Sequence, residues 1–373
     1  MYWLLAITAT SMVQIENIYV ANIVFFIWVI LRACAGYRHY ELNKTNFLIF
    51  AFYIGWNIFS MFVFILQYRY LSVRNIVQLV FNFQYLILLV YGSIDKEKLQ
   101  RAMHVCSLAL ALAIIGLWIT KMSMMNIPSL IVNYRMWAEG YIEGWPNSTI
   151  LPLVFGIFLE LKVSRNNLRL LSLLRVGVLL FAVLLCGSRT GYIGAAFVIA
   201  YFSFSEKEET KRVNTRLKHT MLAVAIAVVV VIAISTIAKL GLGGRMFMVA
   251  DRLGIYKDSL AYAIKRPLTG YGGNSIDVIY WLVGKTTTGI NWGHTHNTVF
   301  ELLIRCGIIG LILFMLMIFR IPKTIRNNDN RVMYWILWFL SLFQIYYRNF
   351  VFLLLIYLLL PYKKAKRESL DAI

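Results

Sequence analysis

The segment His294-Thr-His296-Asn297 places two imidazoles immediately before an apolar run that begins Thr298-Val-Phe-Glu-Leu-Leu-Ile. Imidazole takes or gives a proton near neutral pH, so one such side chain suffices as a general base. A capping or structural histidine is the competing reading. A metal site is not expected, because HxH with Glu301 offers three loosely spaced donors and lacks the HExxH arrangement.

Arginine supplies the second kind of chemistry, since its planar fork matches phosphate oxygens. Arg189, in Cys186-Gly-Ser-Arg-Thr-Gly-Tyr192, falls between two apolar runs with almost no loop around it. A charge this near hydrocarbon is costly unless it is paired, snorkels outward or meets a substrate. Arg252 opens Asp251–Lys265, where Leu253, Tyr256, Leu260 and Ile264 recur at helical spacing, so its guanidinium and free backbone N–H groups would form an anion site. An ordinary solvated arginine is the alternative there. The helix ends at Arg266-Pro267, and Gly270-Tyr-Gly-Gly273 then permits a tight turn and close backbone approach. Arg305 lies about two turns past His296, where it could reach the same chamber or pair with Glu301 at i−4. Arg175 and Glu160 are further charges in apolar runs, and Arg175 reads more simply as snorkelling inward. Tyr134, Arg135, Trp137, Glu139, Glu143 and Trp145 suit sugar contacts, although interfacial Tyr and Trp are equally expected at a membrane surface.

The elements that must position these residues follow from composition. Of 373 residues 60% are apolar and 14% charged, against roughly 45–50% and 25% in soluble domains. The sequence therefore reads as an all-α polytopic membrane protein, a single integral membrane domain over 1–373. Apolar runs near 2–15, 17–31, 46–66, 76–92, 102–120, 148–161, 170–186, 190–204, 219–238, 297–319, 332–346 and 350–361 give about 12 transmembrane helices. The first is short, and it lacks a basic leader and small-residue cleavage site, so a cleaved signal peptide is not expected. Cys34, Cys106, Cys186 and Cys306 are widely spaced and form no CxxC pair, which supports neither a disulfide framework nor zinc.

The formal charge of +20 suggests nucleic acid until its distribution is read. One set of alternate short segments, with the C-terminal tail, holds 22 lysines and arginines, and the opposite set holds six. By the positive-inside rule the richer set and both termini face the cytoplasm, and no nucleic acid partner is implied. The two longest polar segments, 121–147 and 239–296, then face outward. The latter carries a balance of +4, which fits an anionic substrate as well as ordinary surface charge.

Taken together, Gly187-Ser-Arg-Thr-Gly191, Asp251-Arg252 with its amphipathic helix, Arg266-Pro-Leu-Thr-Gly-Tyr-Gly272 and His294-Thr-His-Asn297 followed by Glu301-Leu-Leu-Ile-Arg-Cys-Gly-Ile-Ile-Gly310 resemble the O-antigen ligase and polymerase superfamily, including its Wzy-like repeat-unit polymerases. The likeness is strongest over 187–310, and Trp145-Pro-Asn147 before a span is also usual. No single piece is diagnostic, but their order and the large external loop are characteristic.

The resemblance implies a GT-C-like glycosyltransferase of the bacterial inner membrane. It would act on the outer face with no cofactor, metal or nucleotide sugar, on an oligosaccharide linked to undecaprenyl pyrophosphate. It implies Arg189, Arg252 and His296 as the catalytic set, with His294 at a variable, supporting position. Arg266, Tyr256, Asn297, Arg305 and Arg135 are further candidate substrate contacts. The tight Gly270–His294 segment and modest length favour a polymerase of O-antigen, capsule or exopolysaccharide, whose partners would include a chain-length regulator and a flippase. A ligase delivering polymer to lipid A-core is the alternative. A transporter would instead show internal repeats and polar groups at mid-membrane, whereas here the reactive types gather at the outer rim.

Overall fold

The computed structural model describes residues 1–11, 14–15, 18–34, 44–70, 95–122, 146–165, 170–205, 247–272, 278–279, 295–344 and 349–360. The predicted spans near 76–92 and 219–238, most of the 121–147 loop and parts of the 239–296 loop lie outside the described residues. Within them the helices are α1 (Tyr2–Ser11), α2 (Val20–Cys34), α3 (Lys44–Tyr68), α4 (Lys96–Met122), α5 (Pro146–Ser164), α6 (Leu170–Leu185), α7 (Arg189–Phe204), α8 (Phe247–Lys265), α9 (Thr298–Arg320), α10 (Asn328–Ser341) and α11 (Phe350–Leu359). Three stretches, Leu48–Tyr68, Lys96–Thr120 and Thr298–Thr324, are long and apolar enough to cross a membrane, and Leu170–Leu185 and Phe350–Leu359 are shorter apolar helices.

Local sequence explains where several helices begin and end. Asn297, Asn327 and Asn349 each turn a side-chain oxygen onto backbone N–H groups of the next helix, satisfying donors that have no intrahelical partner. The first predicted span, 2–15, is cut short. Helix α1 stops at Ser11, and Gln14–Ile15 pairs antiparallel with Ile18–Tyr19. Thr8 and Thr10 donate back to the carbonyls of Leu4 and Ala6 at 2.8 Å, and Ser11 to Thr8, competition with the helical ladder that weakens its last turn.

Packing is that of a bundle in lipid. Residues 149–161 of α5 and every residue of α11 are buried, so these two helices are surrounded by protein. Around them, α3 exposes Phe52, Phe59, Phe62 and Leu66, α4 exposes Leu112 and Ile119, and α6 exposes Leu171 and Leu174. Large apolar side chains on the outside and a helix-filled interior suit hydrocarbon rather than water as the surrounding solvent.

Ring and backbone contacts fix the directions. Tyr53 meets Phe314 while Trp56 bonds the Cys306 carbonyl, so α3 and α9 run antiparallel. Gly194 abuts Leu340 and Phe197 meets Phe339, while Tyr201 reaches Asp329, so α7 and α10 are also antiparallel. At one end Arg165 binds Asp329 and Ser205, Lys162 binds Asn330 at 2.8 Å, Asn330 binds the Leu359 carbonyl and Lys96 binds that of Leu360. Those are ends of the predicted lysine- and arginine-rich segments. The ends bearing Arg189 and His296 lie opposite.

Candidate active site

His296 is held between two anchored neighbours. Asn297 is the N-cap of α9, accepting from Val299 N–H at 2.8 Å and Phe300 N–H at 3.2 Å, and its amide donates to the Leu342 carbonyl at 2.9 Å. Thr295 is buried, with its N–H and hydroxyl 3.3 and 3.0 Å from one oxygen of Glu301. The other Glu301 oxygen accepts from Arg305 Nε one turn on. His296 itself sits at φ +54°, a left-handed conformation costing about 1–2 kcal/mol for a residue with a side chain. Such strain persists only where the surroundings fix it, and it often marks a working residue.

Helix α10 ends at Ser341, and the segment after it brings Gln344 to His296, with Gln344 Oε1 3.3 Å from His296 Nδ1. The Thr298 hydroxyl donates to the Gln344 carbonyl at 3.4 Å. Sequence reasoning missed Gln344, which lies inside the predicted span 332–346 and reads there as one polar residue in an apolar run.

Arg189 is the first residue of α7, after a turn at Cys186–Ser188, and is exposed. The turn is tightened by Tyr192, whose hydroxyl donates to the Leu184 carbonyl at 2.9 Å. Because α7 pairs with α10 through Gly194 and Leu340, the start of α7 lies at the level of the α10 C-terminus, where Leu342 and Gln344 meet Asn297 and His296. Arg189 and His296, more than 100 residues apart in sequence, thus share one end of the bundle.

Helix α8 carries Arg252 and Tyr256 one turn apart. It begins at Phe247, four residues before the predicted start. Tyr256 stacks on Phe300 with ring centroids 4.8 Å apart and planes 18° from parallel, which lays α8 against the first turn of α9. The Arg252 side chain, His294 and Arg135 lie outside the described residues and side chains.

The glycine-rich turn after α8 makes the close backbone approach its composition suggested, and what it approaches is α9. Helix α9 is broken at Gly307, whose φ of +67° and ψ of −172° are essentially reserved for glycine. A break inside a membrane helix frees carbonyls that lipid cannot satisfy. Here Tyr271 N–H donates to the Ile304 carbonyl at 2.8 Å, Ser60 hydroxyl lies 3.5 Å from that of Arg305, and Trp56 Nε1 donates to that of Cys306 at 2.9 Å. The Ile308 N–H in turn donates to the Pro267 carbonyl at 2.8 Å. A Cβ on Gly307 would collide with the Leu268 carbonyl, and one on Gly270 with that of Ile304. The turn is a backbone clasp on the broken helix.

Two predicted substrate contacts are accordingly engaged within the protein. Arg266 lies 4.9 Å from the Tyr68 ring centroid and 5.3 Å from that of Tyr271. Burial pushes the Tyr271 phenol up to about 12, so it stays a neutral donor to the Tyr262 carbonyl. Arg305 takes the second of the two places open to it, beside Glu301 in the interior. A separate charged group lies deeper, where His104 Nε2 is 2.7 Å and Arg175 Nη1 3.8 Å from Glu160, which gives Arg175 a partner rather than only a snorkelling path. Among the described residues no set of three or more His, Cys, Asp or Glu is arranged to hold a metal.

No curated protein matches the chain. Residues 174–315, from the first third of α6 to past the break in α9, match the family model described as O-antigen ligase. That stretch contains Arg189, Arg252, the clasp and His296, so the multi-pass membrane protein carries, over residues 174–315, a domain of the O-antigen ligase/polymerase superfamily.

Proposed function

We propose that this protein is a polysaccharide polymerase that joins undecaprenyl-pyrophosphate-linked oligosaccharide repeat units on the outer face of the bacterial inner membrane, making O-antigen, capsule or exopolysaccharide. The observation that carries this reading is that Arg189 and the His296-Asn297 cap lie at the same end of the bundle, opposite the lysine- and arginine-rich ends. In this mechanism Arg189 and Arg252 hold the pyrophosphate, and the positive ends of α7 and α9 add to their field. His296 takes the proton of an acceptor hydroxyl as that oxygen attacks the anomeric carbon. The bond from C1 to the phosphate oxygen breaks, and undecaprenyl pyrophosphate leaves with the electron pair. The arginines stabilise the charge that develops on it. The donor is already activated, so the step needs no cofactor, nucleotide sugar or metal. His294, Asn297, Tyr256 and residues of 121–147 such as Arg135 would line the sugar path, while a flippase supplies the lipid-linked unit and a chain-length regulator sets the product size.

The family description is met equally by a second reading, a ligase, which would transfer finished polymer to lipid A-core. Glycan from a gene-deleted host, separated by size, decides between them. A polymerase leaves single repeat units, unrescued by His296→Ala, Arg189→Ala or Arg252→Ala at wild-type expression. A ligase leaves long lipid-linked chains off the lipid A-core, and an unchanged glycan overturns both readings.

A further inference from the structure

Gln344 lies outside the matched segment 174–315 and has no part in the mechanism above, yet it is a side-chain partner of the histidine assigned as base. Its position is built. The start of α9 grips the chain two residues before it and at its own carbonyl, Asn297 Nδ2 on the Leu342 carbonyl at 2.9 Å and the Thr298 hydroxyl on the Gln344 carbonyl at 3.4 Å. The backbone that carries the amide is therefore tied to the same first turn that carries His296. The histidine is fixed from its own side by its anchored neighbours Thr295 and Asn297.

A neutral imidazole has one N–H and one lone pair, and the partner of one nitrogen decides which is which. With Gln344 Oε1 facing Nδ1, the only attractive arrangement is Nδ1–H donating to the amide oxygen. We propose that Gln344 is a positioning residue that holds His296 in its Nδ1–H form, so that Nε2 carries the lone pair that receives the acceptor's proton. This rests on His296 being the base. A carboxylate in the same place would also fix the tautomer, but it would favour imidazolium and so hold the proton that a base must first be without. The neutral amide orients the ring without that effect. Among the described residues, the charged groups on the surrounding elements are Glu301 and Arg305 of α9, bonded to each other, Arg189 at the start of α7, and Lys257 and Asp258 of α8.

The tautomer can be read without any reaction. The protein is labelled with nitrogen-15 histidine, and the His296 signals are identified among five histidines by their loss in His296→Ala. Wild type is expected to show a protonated Nδ1 and a bare Nε2, and Gln344→Ala a mixture. A protonated Nε2 in wild type, or an unchanged signal in Gln344→Ala, overturns the proposal. Activity is measured as ladder growth in detergent-solubilised membranes of the deletion strain, which hold the host's own lipid-linked glycan. Gln344→Ala should lose about 10²-fold in turnover with little change in the substrate level needed, as misplacement of a reacting group does. Gln344→Glu should stay active, with the acid limb of its pH profile moved up by about one unit, because a nearby negative charge favours the protonated ring. A Gln344→Glu profile matching wild type overturns the proposal while leaving His296 as base. An active His296→Ala enzyme overturns the base assignment itself.

Discussion

A carboxylate buried in a bundle that faces lipid needs its charge matched within bonding reach, and for Glu301 the match comes from Arg305 one turn on and from Thr295 just before the helix. The pair also fixes the residue that precedes His296. Glu301→Gln removes a counter-charge bonded to the buried Arg305 guanidinium and should lower stability by about 3–5 kcal/mol in detergent-solubilised protein. Replacing both by leucine should recover most of that loss, since a well-packed apolar pair is often as stable as a buried ion pair. A double variant as unstable as the single one would show that the carboxylate acts through Thr295 rather than through Arg305. At this scale the positions were readable, Arg189 between two apolar runs and His296 at a helix mouth, and the structure has them at the starts of α7 and α9. Gln344 was not readable, because an uncharged amide in an apolar run carries no sign of which distant side chain it will meet.

The break in α9 is the feature that separates the elements from their sequence patterns. Continuous hydropathy from Thr298 to Arg320 predicts one straight span, and neither composition nor periodicity marks Gly307 as different from Gly310. What differs is the neighbour. Leu268 and Thr269 lie against Gly307, so only a bare Cα with left-handed freedom fits. Gly307→Ala should destabilise the protein by about 2–5 kcal/mol from combined strain and overpacking, and Gly270→Ala by a similar amount. Both should shorten the glycan ladder in proportion to the loss of folded protein, read by thermal unfolding beside the ladder. Normal stability in Gly307→Ala would mean that the clasp does not form. The Arg266–Gly272 motif was legible as a place of close backbone approach. That it approaches a helix and not a ligand could not be read, because the partners on α3 and α9 lie about 200 and 35 residues away in sequence.

At the scale of the molecule, helix positions and relative directions were the most legible property among the described residues, since they follow from hydropathy and the lysine and arginine count. The described helix ends sort into the two groups that count predicts. This makes orientation testable at single residues. In a background with the exposed Cys34 changed to serine, Gln67→Cys, at the outer end of α3, should react with an impermeant maleimide in intact cells, and Lys98→Cys only after the membrane is opened. The reverse pattern would invert the assignment of faces and remove the site from the outer surface.

The clasp also bears on how the chain is made. Trp56 and Ser60, Pro267 and Tyr271 all precede Ile304 to Ile308, and a chain is synthesised from its N-terminus. When the broken helix leaves the ribosome, these donors and acceptors for its exposed backbone have already been translated. Residue order is thus also an assembly order, in which the helix least able to face lipid alone arrives after its partners. A rearranged gene that placed residues 44–68 after 298–320 would keep the same set of helices yet deliver the break before Trp56 and Ser60 exist to receive it.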